Sequence, residues 1–184
     1  TPLRDDSGVF PPRSHEGVLT AAMERVKADL VHRKAARPIR SVVMAHAFVI
    51  GGIKSPDSER DISVGGVDSV PSQVFDGVDY VALGHLHGPQ KITVPNSPTV
   101  MRYSGSPLAF SIKEGDHHKS TVMIEIGAEG TPTFELIPAP VPRPLKELTG
   151  TLAELLDSAN SQWADAVVCP KVTAETYSES LASS

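Results

Sequence analysis

The chain predicts a layered α/β fold, on three observations. A helix-period stretch near the start is followed by two nearly continuous apolar runs, each of which ends in histidine. Short strand-like runs separated by Gly, Pro and Asn turns then fill the middle of the chain, with no internal repeat.

Residues 1–13 are rich in Pro, Asp and Gly and read as a loop. They start without methionine, so further chain is expected to precede them. Ser14 is a suitable N-cap with Glu16 in the first turn, and Val18, Leu19, Ala22, Met23, Val26 and Leu30 recur at three- and four-residue spacing. That pattern predicts an amphipathic helix over residues 14–33. His32, Arg33, Lys34 and Arg37 suit the negative end of its dipole, and Pro38 prevents its continuation. His15 and His32 have no second ligand at useful spacing and are expected at the surface.

Residues 39–45 predict a buried strand that delivers His46. Residues 51–66 are rich in glycine and charge, a pattern of either a solvated connection or a loop that touches substrate. Pro71, Val74 and Phe75 predict a short helix feeding the next strand.

That strand is the centre of the sequence. Val78, Tyr80, Val81, Ala82 and Leu83 form the run of a strand covered on both faces, and it leads into Gly84-His85-Leu86-His87-Gly88-Pro89. If the extended conformation continues, His85 and His87 share a face. Gly84 would let the backbone pass close to an ion or a substrate. With His46, three imidazoles could then meet at strand carboxyl ends, the usual ligand position in such folds. Imidazole suits Zn, Mn or Fe; packing and hydrogen bonding is the plainer alternative for a lone His-x-His.

Downstream, residues 91–94 and 99–103 predict a hairpin, and a strand over 108–113 follows the tight turn Ser104-Gly105-Ser106-Pro107. Residues 114–120 read as a polar turn, with strands over 121–126 and 131–137 beyond it. Pro138, Pro140, Pro142 and Pro144 on alternate positions mark a stiff linker and a domain boundary. A second unit then opens with a short strand over 145–148, a capping box at Thr151 and Glu154, and another strand over 166–169. It is too short to close its own core.

Composition narrows the function. With 184 residues, 40% hydrophobic and 21% charged, the chain can build one domain core and part of a second, and no apolar stretch approaches the ~20 residues of a membrane span. Neither a membrane segment nor a signal peptide is visible, and a cytoplasmic location is expected. The single cysteine, Cys169, can form no internal disulfide. A net charge of −5 argues against a free-standing nucleic-acid binder, unless bound cations or a partner supply the positive charge.

His46, Gly84-His85-Leu86-His87 and Arg102-Tyr103-Ser104-Gly105-Ser106-Pro107 together resemble the calcineurin-like metallophosphoesterases. The surrounding words, Gly88-Pro89-Gln90, Ser58-Glu59-Arg60-Asp61, Val64-Gly65-Gly66 and Pro107-Leu108, resemble the D-subunit family of the bacterial SbcCD nucleases. The resemblance implies a double sheet flanked by helices, with two divalent ions, Mn²⁺ foremost, at the strand ends. It implies that His46 and His85 bind one ion and His87 the other. It further implies an exonuclease and endonuclease acting on double-stranded and hairpin DNA with the SbcC ATPase, as a homodimer within a heterotetramer, located with the nucleoid.

The sequence departs from that family by lacking, in strand context, Asp-x-His, Gly-Asp-x-x-Asp and Gly-Asn-His-Asp. Asp116-His117-His118 follows Gly115 in a polar turn and reads as a surface hairpin turn. Residues 1–140 are therefore expected to be the C-terminal part of a layered αββα phosphoesterase domain, and residues 141–184 the incomplete beginning of a small α+β capping domain. The proton-donating histidine would lie upstream, so no catalytic residue is assigned within the chain and it is not expected to act alone. Two alternatives stand beside this: a phosphoesterase for small phosphate esters, and a catalytically incomplete remnant that binds a partner.

Overall fold

A computed structural model of the chain describes residues 8–51 and 69–173. Helix α1, His15–Ala36, starts where the Ser14 hydroxyl accepts the Gly17 N–H at 3.0 Å, and ends as Arg37 turns extended ahead of Pro38. The apolar stripe is narrower than the spacing suggests. Met23 is buried and Leu19 and Leu30 pack beside it, whereas Val18 and Val26 face solvent.

Strands β1, Val42–His46, and β2, Phe48–Val49, follow, then β3, Ser69–Val70, and a 3-10 turn over Ser72–Phe75 for which Pro71 is the N-cap. Next come β4, Tyr80–Gly84, β5, Gln90–Ile92, and β6, Val100–Tyr103. A four-stranded sheet is formed in the order β1-β4-β6-β5, with β1, β4 and β6 parallel and β5 antiparallel to β6. The β5–β6 hairpin lies where the sequence puts it.

The parallel register pairs Val43 with Val81 and Ala45 with Leu83, and these residues join Met23, Val49, Phe75, Met101 and Tyr103 in the core. The alternate residues of β1 do not. β1 is the edge strand of this sheet, and with Val42 and His46 exposed and Met44 85% exposed it has one open face and is not the buried strand its apolar run predicts. Of the two runs, β4 alone behaves as a central strand, buried nearly throughout.

Residues 108–113 hold no strand; a 3-10 turn over Ile112–Glu114 stands at their end. Strands β7, Ser120–Ile126, and β8, Pro132–Pro138, then pair as an antiparallel hairpin. The hairpin is tied to the sheet by the Arg102 guanidinium, 4.3 Å over the Phe134 ring, and by Arg40, whose Nε donates to the Gly127 carbonyl at 2.9 Å.

Beyond the proline stretch, β9, Leu145–Gly150, pairs in parallel with β10, Val167–Val172. Between them the Thr151–Glu154 capping box opens the one-turn helix α2, Leu152–Leu155. This pair abuts the preceding segment: a Cβ on Gly115 would stand 2.7 Å from the Leu145 carbonyl. The molecule is thus a mixed α/β structure of several small sheets and few helices. No helix among the described residues is long and apolar enough to cross a membrane.

Candidate metal centre

The site grows from the parallel pairing of β1 with β4. His46 is the last residue of β1 and stands opposite Gly84, the last residue of β4, and the Ala47 N–H donates to the Gly84 carbonyl at 3.3 Å. Because Gly84 has no side chain, the His46 imidazole lies across it. A Cβ there would be 2.9 Å from His46 Nδ1. The space that the glycine opens is therefore filled by the neighbouring ligand candidate.

His85 follows with φ +108° and is buried. Such a φ is outside the extended region, so the strand stops at Gly84 and alternation no longer governs which way His85 and His87 point. The backbone turn instead brings His85 against His46, edge to face with ring centres 5.5 Å apart, while Phe48 stands 6.5 Å from the same ring. Two imidazoles on one tetrahedral ion, with metal–nitrogen distances near 2.0–2.1 Å, place their ring centres about 5 Å apart. His46 and His85 fit that spacing.

His87 is held by different partners. Its ring leans on Phe110 with centres 5.4 Å apart, and Nδ1 lies 2.9 Å from Glu114 Oε1. The Gly105 turn presses on the same segment: Gly105 has φ +83°, a Cβ there would meet the His87 carbonyl at 2.8 Å, and the Ser106 N–H donates to that carbonyl at 3.1 Å. The Ser104–Pro107 word therefore fixes the backbone of His87.

Glu114 and Lys119 are the functional candidates that sequence reasoning misses. They bound what reads as a polar turn, yet Glu114 is fully buried and Lys119 is 5% exposed, with Nζ 2.6 Å from Glu114 Oε2. A charge-rich segment without periodicity carries no signal of burial. Within the same segment Asp116 and His118 are exposed and His117 is half-buried, and because residues 108–113 hold no strand the segment is a turn but not the hairpin turn its sequence predicts.

Tyr103 supports the His46 side. Its buried hydroxyl donates to the Ala47 carbonyl at 2.6 Å and accepts the Val49 N–H at 2.8 Å, and burial pushes its pKa up to about 12. Among the described residues no three His, Cys, Asp or Glu side chains gather into one cluster able to hold an ion by themselves. The structure thus joins His46 to His85 and anchors His87 separately. The Ser58–Gly66 stretch lies outside the described residues.

Comparison with known proteins points to one kind of nuclease. No protein-family model matches the chain. The SbcD component of the SbcCD nuclease of Rhodobacter capsulatus is 35% identical over 130 residues, 69% of this chain and 31% of the relative. Its counterpart in Escherichia coli K12 is 32% identical over 145 residues, 79% of this chain and 35% of the relative. The chain is SbcD-like. A third relative, the SbcD component from Bacillus subtilis, is 43% identical over 93 residues, 49% of this chain and 23% of its own length. This SbcD-like chain spans about a third or less of the length of these curated relatives.

Proposed function

We propose that this SbcD-like chain is part of the nuclease subunit of an SbcCD-type DNA repair and recombination complex. In this reading residues 1–140 are the C-terminal part of its layered αββα phosphoesterase domain and residues 141–184 begin its capping domain. The whole protein hydrolyses DNA phosphodiesters, as exonuclease and endonuclease, in partnership with the SbcC ATPase. The observation that carries the reading is the His46–His85 pair, with ring centres 5.5 Å apart at the adjoining carboxyl ends of two parallel strands. The open face of β1, with Val42 and Met44 exposed, supports a domain that is larger than the described residues.

His46 and His85 would hold one divalent ion and His87 the other, Mn²⁺ being the foremost candidate. When bound, two such ions clamp a phosphodiester and acidify the attacking water. The chain's own residues supply placement. Gly84 gives His46 room to face His85, Tyr103 fixes the turn after His46, and the Ser104–Pro107 turn holds the backbone of His87.

The test is cleavage by the protein expressed from its complete gene, together with its SbcC partner. The reading expects Mn²⁺-dependent cutting of double-stranded and hairpin DNA that is lost in His85→Ala. Hydrolysis of a small chromogenic phosphodiester with no action on DNA would replace the nuclease by a small-ester phosphoesterase. Failure on both substrates with every divalent ion would leave a partner-binding remnant.

A further inference from the structure

The polar cluster behind His87 has more structure than a surface turn needs. Glu114 Oε1 faces His87 Nδ1 at 2.9 Å, and Glu114 Oε2 lies 2.6 Å from Lys119 Nζ and 3.4 Å from the Phe110 N–H. Lys119 also donates to Ser106 Oγ at 2.8 Å and to the His87 carbonyl at 3.2 Å. An ammonium has three N–H donors, and here three acceptors are within reach. Lys119 therefore binds the partner of the His87 ring and the His87 backbone at once.

The pair has a chemical consequence for the ring. Lys119 Nζ reaches Glu114 Oε2 at 2.6 Å, and a carboxylate paired with an ammonium only accepts hydrogen bonds. The proton between Glu114 and His87 must then belong to Nδ1. A neutral imidazole carries one N–H, so the basic nitrogen of His87 is Nε2. Burying two charges is seldom repaid in stability alone, because well-packed apolar residues of the same volume usually do as well. Fixing a tautomer is something that apolar residues cannot do.

We propose that Glu114, backed by Lys119, is the positioning residue of His87: it takes the Nδ1–H and so makes Nε2 the nitrogen presented to a ligand. The tautomer follows from the pairing of Glu114 with Lys119, and only the use of Nε2 toward a metal rests on the reading of His87 as a ligand. Carboxylate partners of this kind orient metal-binding imidazoles generally.

The test uses the complete chain with Mn²⁺ as the probe. Long-range proton–nitrogen correlation spectra at mildly alkaline pH report which ring nitrogen of His87 is protonated, and paramagnetic broadening reports the ion. The wild type is expected to show Nδ1–H. Glu114→Leu with Lys119→Met removes the acceptor and both charges together, and is expected to move the ring toward Nε2–H and to weaken Mn²⁺ binding about ten- to hundredfold. Glu114→Gln keeps an acceptor and is expected to retain Nδ1–H in the larger share.

An Nε2–H ring in the wild type, or an unchanged tautomer in the double variant, would overturn the proposal. Should the double variant not fold, the wild-type and Glu114→Gln spectra still decide it. Nδ1–H in the wild type without Mn²⁺ broadening at His87 would remove the metal reading and leave the positioning role supported.

Discussion

The Tyr103 hydroxyl joins the end of β6 to the turn that follows His46, donating to the Ala47 carbonyl at 2.6 Å while accepting the Val49 N–H at 2.8 Å. A residue of one strand thereby fixes the backbone beside a ligand candidate on another, across the intervening β4. Tyr103→Phe removes the hydroxyl and leaves two buried backbone groups without that partner. The expected loss is about 1–3 kcal/mol in chemical denaturation, with the slope against denaturant unchanged.

The same hydroxyl sets an alkaline limit. Burial raises the Tyr103 pKa to about 12 in the folded chain, above the unfolded value of about 10. The folded state therefore holds this proton more tightly, so the contribution is fully present below about pH 10 and is lost as pH rises from about 10 through about 12. Stability profiles of the wild type and Tyr103→Phe should converge across that window. Parallel profiles would show that another group governs alkaline unfolding.

Asp79 gives the opposite sign. Burial pushes its carboxyl pKa upward, but hydrogen bonds from the Ser41 hydroxyl at 2.7 Å and the Ser41 N–H at 2.6 Å, with Lys34 and Arg40 nearby, outweigh it and leave the pKa below the ordinary value. Its contribution is present above the unfolded carboxyl pKa and falls away as pH drops through the lower folded value. Asp79→Asn should lose stability at neutral pH and little at strongly acidic pH, measured by thermal melts over an acid series.

Two glycines should separate folding from site geometry. A methyl group at Gly84 would meet an exposed imidazole, which can swing aside, so Gly84→Ala should change stability little while displacing His46 from His85. At Gly105 the methyl group would meet the His87 backbone and Pro89, at a φ of +83° that suits glycine. Gly105→Ala should therefore cost about 2 kcal/mol or more. Thermal melts, read beside the His46 ring resonances, would check both. Equal destabilisation at the two positions would refute the distinction.

Much of the fold was legible where local chemistry and burial agree. The Ser14 cap, the apolar run of β4, the β5–β6 hairpin and the Thr151–Glu154 capping box each lie where residue pattern places them. The pattern misled where burial depends on neighbours. The Val42–His46 run is as apolar as β4, but among the described residues nothing packs on the face that bears Val42 and Met44. At the candidate site, residue types single out His46, His85 and His87, whereas periodicity could not foresee that φ +108° at His85 would end the strand early. Glu114 and Lys119 were hidden for a related reason, since a charged turn looks alike in sequence whether its charges meet water or each other.

The central claim is that His46, His85 and His87 are the metal-facing histidines of this chain. Its most direct test is a Mn²⁺ titration that follows the Hε1 resonances of all seven histidines. Selective broadening of His46, His85 and His87 at low Mn²⁺, with His15, His32, His117 and His118 left sharp, is the result the account predicts. Uniform broadening of all seven, or broadening confined to His117 and His118, would contradict it.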